Sequence, residues 1–302
     1  MLCCCLTFRE ESCPVEFFPQ PVDPVVPLAR MSIFAEGLDH PECLAFDHEG
    51  ALWAGGEAGQ IYRIQNGKTE QVADVGGFCL GLTFSAKQEL FVCNLGLHAL
   101  QRIDRSGRIL QTIEQVDGRR LQTPNFSVFD HEGDLYFSDS GEWNKGNGCV
   151  YRLRASGVAE FFAGPFAFAN GMALSAIGDA LFIVESQRDC ITRLPIKYDG
   201  TAGEPELYAS GLARVPDGAV LDAAGNLYVT CYATDCVYRV RPDRTVELFA
   251  FDPEGTMLAR PTNGAFGGPE GKDLFVANLG RWHITRIPTD TPGQPLATQF
   301  AE

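Results

Sequence analysis

Short runs of β-branched and aromatic residues alternate along the chain with clusters of glycine, aspartate and asparagine, and the runs recur. LWAGG (52–56), LFVCN (90–94), LYFSD (135–139), LFIVE (181–185), LYVTC (227–231) and LFVAN (274–278) form one set of six. Each is followed by a partner: IYRI (61–64), LQRI (100–103), VYRL (150–153), ITRL (191–194), VYRV (237–240) and ITRI (284–287). Runs of this composition bounded by turn residues read as strands. A third set precedes each pair: ECLAF (42–46), LGLTF (80–84), NFSVF (125–129), NGMAL (170–174), DGAVL (217–221) and NGAFG (263–267). Turns such as Asp47-His48-Glu49-Gly50 and Asp130-His131-Glu132-Gly133 divide the third set from the first. The six units start 38, 45, 45, 47 and 46 residues apart, the length of a four-stranded propeller blade.

Fourth strands are legible as AEFFAG (159–164), PELYAS (205–210) and VELFAF (246–251). The last unit has none after Ile287, and the same motif stands ahead of the first unit as MSIFAEG (31–37). The pattern therefore predicts an all-β, six-bladed β-propeller over residues 31–302, closed by an N-terminal strand that completes the last blade. An open ring would leave two exposed sheet edges, which proteins avoid. Residues 1–30 carry five prolines and four cysteines without the repeat, and are expected to form an irregular extension. For its Cys3-Cys4-Cys5 cluster, palmitoylation is the alternative reading. Met31 is an alternative start.

Composition narrows the function. A formal charge of −15 with no basic stripe speaks against a nucleic-acid partner. With no run of 18 apolar residues, no membrane-spanning helix is expected. The eleven cysteines are odd in number and wrongly spaced for a tetrahedral thiolate cage, so reduced thiols in a cytoplasmic protein are expected. Neither a GxSxG elbow nor a nucleotide-binding glycine pattern is present.

Candidate chemistry lies where the first strands begin, because the innermost strand of every blade lines the central channel. Those positions are Glu42, Leu80, Asn125, Asn170, Asp217 and Asn263. Singly, each Asn or Asp is an ordinary turn residue. Five oxygen-bearing side chains at one repeat position are a set that burial would penalise unless something satisfied it. A hard divalent cation does so. Calcium best suits carboxylate and amide donors without histidine, with zinc, magnesium and manganese as alternatives.

The segments HPECLAFD (40–47), TPNFSVFD (123–130), ANGMALS (169–175) and VPDGAVLD (215–222) resemble the family of senescence marker protein (regucalcin), gluconolactonase and luciferin-regenerating enzyme. The likeness runs from residue 31 to about 290. It implies that Glu42, Asn170 and Asp217 bind the metal, that Asp217 also serves catalysis, and that Asn125 contacts substrate or water. YFSDSG (136–141) is similar to bacterial lactonases of the same superfamily, which makes Asp139 a secondary candidate. Asn263, Glu185, Trp143 and His283 join it as neighbours of the expected mouth. In sugar-lactone enzymes of the family an Arg commonly stands two residues before the Asn125 position and an Asp just after it. Thr123 and Phe126 occupy those places, which argues against a gluconate-type polyol. The resemblance implies a monomeric or small homo-oligomeric hydrolase of small lactones or esters. Other propeller chemistries (an esterase or phosphotriesterase, or a strictosidine synthase-like enzyme) and a non-catalytic ligand-binding ring are the alternatives.

Overall fold

The computed structural model describes residues 23–299, so the Cys3-Cys4-Cys5 cluster lies outside the described residues. Six four-stranded antiparallel sheets are arranged as blades, five of them running from the channel outward in chain order. The inner strands are Cys43–Phe46, Cys79–Phe84, Pro124–Phe129, Ala169–Leu174, Pro216–Leu221 and Pro261–Gly267. The sixth blade takes its outermost strand from the start of the chain: Ser32–Glu36 pairs antiparallel with His283–Pro288, with Ser32 opposite Arg286 and Glu36 opposite His283. This is the closure that the displaced MSIFAEG motif predicts.

Packing follows the ring. Six clusters of buried apolar side chains lie one between each pair of neighbouring blades, including one joining Phe275 and Ile284 of blade 6 to Leu44 and Leu52 of blade 1. Edge-to-face aromatic pairs pin several of these seams, among them Trp53 with Phe84 at 5.3 Å and Tyr228 with Phe266 at 5.3 Å. Such pairs add about 0.5–1.5 kcal/mol beyond their buried area. All seven described cysteines are free and buried.

Three features go beyond the sequence pattern. Blades 1 and 2 have outer strands at Lys68–Asp74 and Ile109–Ile113, and a small hairpin, Gln115–Val116 with Arg119–Arg120, leads into blade 3. Val26, from the proline-rich segment, is buried against blade 5 and bridges Ala250 in parallel. At the other terminus the chain returns beneath the ring. Gly293 bridges Asp222, while Gln294 donates from its backbone to the Leu221 carbonyl (2.9 Å) and from Nε2 to that of Leu174 (3.0 Å).

Candidate active site in the central channel

Each inner strand begins on the same face of the ring, and most begin with an irregularity. The register with the second strand shifts between Cys79 and Gly81, Pro124 and Ser127, Ala169 and Met172, Pro216 and Ala219, and Pro261 and Gly264. A bulge re-aims a side chain that regular pleating would send into the sheet packing. Leu80, Asn125, Asn170, Asp217 and Asn263 are the residues inside these five bulges. Glu42 stands just ahead of blade 1's regular strand, its N–H donating to the Gly55 carbonyl (3.1 Å).

The glycine after the polar residue has a packing reason. A Cβ on Gly171 would lie 2.6 Å from the Asp217 carbonyl oxygen, and one on Gly218 would lie 2.5 Å from that of Thr262. Neighbouring inner strands approach too closely for any side chain there. The NG and DG pairs are therefore strand residues at the channel wall, not turns.

Left-handed residues sit two positions before three of the polar ones: His40 before Glu42, Phe168 before Asn170 and Val215 before Asp217. Val215 is β-branched at φ 57°, a conformation costing about 1–3 kcal/mol. Two bonds hold it: its N–H donates to Asp189 Oδ1 (2.9 Å), and its carbonyl accepts from the Tyr232 N–H (2.9 Å).

Glu42, Asn125, Asn170, Asp217 and Asn263 are all buried. Asn125 Nδ2 donates to Ser140 Oγ (3.0 Å), whose hydroxyl lies 2.6 Å from the Ala169 carbonyl. Asn170 Nδ2 donates likewise to Ser186 Oγ (3.1 Å), which lies 2.7 Å from the Pro216 carbonyl. A carbonyl only accepts, so each serine must donate to it and can only accept from the asparagine. That fixes the amide orientation and leaves Oδ1 of both asparagines free. Asn263 Nδ2 bonds Glu42 Oε2 (3.0 Å) and the Leu80 carbonyl (3.1 Å). The Oδ1 atoms of Asn125, Asn170, Asp217 and Asn263 are buried and have no hydrogen-bond partner.

Charge is crowded here as well. Burial first, and then the charge of Asp217, push the Glu42 carboxyl well above the usual range, against a lowering bond from Asn263. Burial lifts Asp217 to about 7, against a smaller lowering by Asn170. Among the described residues no three His, Cys, Asp or Glu side chains gather into a metal cage of their own. The channel has two carboxylates and draws its other donors from amides. Four orphaned oxygens beside two carboxyls held above their normal range form a donor set that fits a hard divalent cation.

Ser140 and Ser186 orient two of the channel asparagines, and the strand pattern alone does not reveal them. Their signal is a serine directly after the second strand in blades 3 and 4, two of the three blades whose inner strand begins with asparagine; blade 6 has Leu279 there. Ser186→Ala is expected to lower stability by about 1–2 kcal/mol by stranding the Asn170 amide and the Pro216 carbonyl. Urea denaturation checks this, with Ser186→Thr, which keeps the hydroxyl, retaining most of the stability.

The remaining sequence candidates take other positions. Asp139 Oδ1 accepts from the N–H groups of Thr123 (2.7 Å) and Gly141 (3.0 Å), and Oδ2 from Gln122 (2.8 Å). Glu185 accepts from the Ala167 N–H (2.8 Å), Arg188 (3.1 Å) and Thr192. Both carboxylates brace the segment leading into an inner strand. His283, the first residue of blade 6's third strand, is buried with Nε2 3.1 Å from the Met257 carbonyl. Trp143 lies at the rim, 49% exposed. Thr123 Oγ1 donates to the Gly141 carbonyl (2.8 Å), and Phe126 is buried in the seam between blades 3 and 4.

The family model for the SMP-30/Gluconolactonase/LRE-like region matches residues 40–279. The chain belongs to this family. Gluconolactonase of Zymomonas mobilis is 26% identical over 238 residues, covering 70% of this chain and 64% of that protein. The adipocyte plasma membrane-associated protein Hemomucin of Drosophila melanogaster is 23% identical over 217 residues, covering 61% of this chain and 37% of the relative. This member thus spans under two thirds of either curated relative. Regucalcin from Agrobacterium tumefaciens, a calcium-binding protein of known structure, superposes with a TM-score of 0.75 at 19% identity, over 91% of this chain and 99% of the other. At that identity the likeness establishes the shared propeller fold. No described helix is long and apolar enough to cross a membrane.

Proposed function

We propose that this family member hydrolyses a small lactone at one divalent cation held in the channel by Glu42, Asn170 and Asp217. The observation that carries this reading is the set of buried, unpartnered oxygens on Asn125, Asn170, Asp217 and Asn263. Each such group costs about 1–3 kcal/mol if left unsatisfied, so the site is built to receive something that they coordinate. The names of the gluconolactonase relatives support the choice of a lactone over other esters.

When bound, a divalent cation supplies positive charge that polarises a substrate carbonyl. Asp217, ionised beside the cation, serves as the general base that accepts a proton from water. Asn125 presents a free Oδ1, an acceptor, and so holds the attacking water through one of its hydrogens. As the water oxygen bonds to the carbonyl carbon, Asp217 takes its proton. When the ring C–O bond breaks, Asp217 returns that proton to the leaving alkoxide, and the product is a hydroxy acid. Glu42 is kept in place by Asn263, and Asn170 by Ser186.

Acid release from a panel of lactones and esters, followed at constant pH, tests the reading. Hydrolysis lost after chelation and regained with calcium is the expected result. Folded, calcium-loaded protein that releases no acid from any member of the panel would overturn it.

A further inference from the structure

A cleft of about 680 Å³ lies on the outer half of blade 3, beside the hairpin that leads into that blade. Its walls include Arg119 and Arg120 of the hairpin and Gln122 just after it. Tyr151 of the third strand (Gly148–Leu153) lines it too, with Phe161 and Pro165 of the outer strand (Ala159–Phe166). Asn125 and the rest of the inner strand take no part, so the cleft is distinct from the channel.

Both sides of the cleft are built into the fold. Val116 and Leu121, which flank the hairpin arginines, are buried in the seam between blades 2 and 3. Asp117 Oδ2, at the hairpin turn, accepts from the Phe161 N–H (2.9 Å) and ties the hairpin to the outer strand. That strand is irregular. Its register with the third strand shifts between Gly148 and Val150 and again between Val150 and Tyr151. Bulges bend a strand and take residues out of the ladder. Gly164 and Pro165, within the first of these shifts, are exposed and form part of the wall.

The polar groups on offer are donors. The Arg119 guanidinium covers the Phe161 ring, 5.6 Å from its centroid. Among the described residues neither Arg119 nor Arg120 has a carboxylate partner, whereas Arg105, Arg152 and Arg239 each pair with an Asp or Glu. Gln122 adds a third donor. The Glu142 N–H donates to Asn147 Oδ1 (2.9 Å), so Asn147 Nδ2 donates to Gln122 Oε1 (3.2 Å). That orientation leaves Gln122 Nε2 to donate elsewhere. Asp139, the acidic side chain in the wall, already accepts from three backbone N–H groups. A group that only accepts answers such a set, and the planar guanidinium fork matches a carboxylate. Phe161, 41% exposed, and Pro165 supply apolar surface beside it.

We propose that this cleft is a second ligand site, for a small carboxylate carried on a flat apolar body. The carboxylate meets Arg119, Arg120 and Gln122, and the body lies along Phe161 and Pro165. The volume is in the range of small-molecule sites, about 300–1,000 Å³. The site goes beyond the lactonase reading and holds whether or not a lactone is cleaved.

Three probes test it by ligand-observed NMR titration of the full-length protein, with calcium and after chelation: phenylacetate, acetate and 2-phenylethanol. Phenylacetate is expected to bind at least about ten-fold more tightly than acetate, which lacks the ring, or 2-phenylethanol, which lacks the charge. Arg119→Ala should weaken phenylacetate binding at least about ten-fold, and Arg119→Lys, which keeps the charge but not the fork, by less. Phe161→Ala should weaken it about three-fold or more. Arg108→Ala, which removes a surface arginine paired with Asp104, should leave it unchanged. Equal affinities for the three probes, or phenylacetate binding that is unaltered in Arg119→Ala, would overturn the site. Binding lost on chelation would put the ligand on the channel cation and overturn it as well. Binding that survives chelation and depends on Arg119 supports the cleft even if the lactone panel yields no acid, in which case the lactonase reading alone falls.

Discussion

Asp217→Asn is expected to lower lactone turnover by about 10²–10⁴-fold, the range for loss of a positioned general base. The same change should make the cation-free protein more stable above pH 7. Asparagine preserves the shape of the side chain but removes a charge that the channel cannot solvate. In the folded chain the carboxyl titrates at about 7, against about 3.9 in an unfolded one, so ionising it works against folding by up to about 4 kcal/mol. A residue that merely packed would show the opposite pairing, with stability falling alongside activity. Activity assays together with urea denaturation of chelated protein at pH 8 distinguish these cases. A variant that keeps full activity removes Asp217 from the mechanism.

The second large effect is the pH dependence of the cation-free protein. Asp217 has a raised pKa in the folded state, so the folded chain holds its proton more tightly than the unfolded chain does. The resulting stability is fully present below about pH 4 and is lost as pH rises through about 7. Glu42 is raised by burial and then by the charge of Asp217, and adds to the loss as pH rises. Groups with lowered values, such as Glu49 beside Arg105 and Asp104 beside Ser106, act in the opposite direction and only in more acid solution. The denaturation midpoint of chelated protein should therefore fall between pH 5 and pH 8. Added calcium should raise it strongly at pH 8, where the carboxylates are ionised, and little at pH 5, where protons compete for the same oxygens. A midpoint that is flat across this range, with no response to calcium, would count against a cation in the channel.

Both expectations depend on the bulges. In a regular strand, successive side chains alternate between the two faces of the sheet, where blade packs on blade. The register shifts at Asn125, Asn170, Asp217 and Asn263 release these residues from that alternation and turn them into the channel. The close approach at Gly171 and Gly218 keeps the neighbouring backbone walls tight around them. The strain at Val215 adds to the same pre-organisation, because its bonds to Asp189 and Tyr232 hold the chain that delivers Asp217.

The repeat by itself determined the architecture. Six strand sets at blade spacing and a displaced fourth-strand motif suffice for a closed ring, because strand patterning is local and the cost of an open edge is general. The common repeat position also singled out the five polar residues of the channel. What each oxygen does was decided only by tertiary structure, because the hydrogen bonds that orient these side chains run on into other blades. Ser140 meets a carbonyl 29 residues away, and Asn263 reaches Glu42 across 221 residues of sequence. The same dependence separates Asp139 and Glu185 from Asp217. All three are buried acidic residues near strand ends, but two have backbone N–H groups within reach and the third has an oxygen with none. No local pattern encodes that distinction, since it depends on which stretch of backbone each blade's fold brings beside its carboxylate, Gln122 and Thr123 for Asp139 and Ala167 for Glu185.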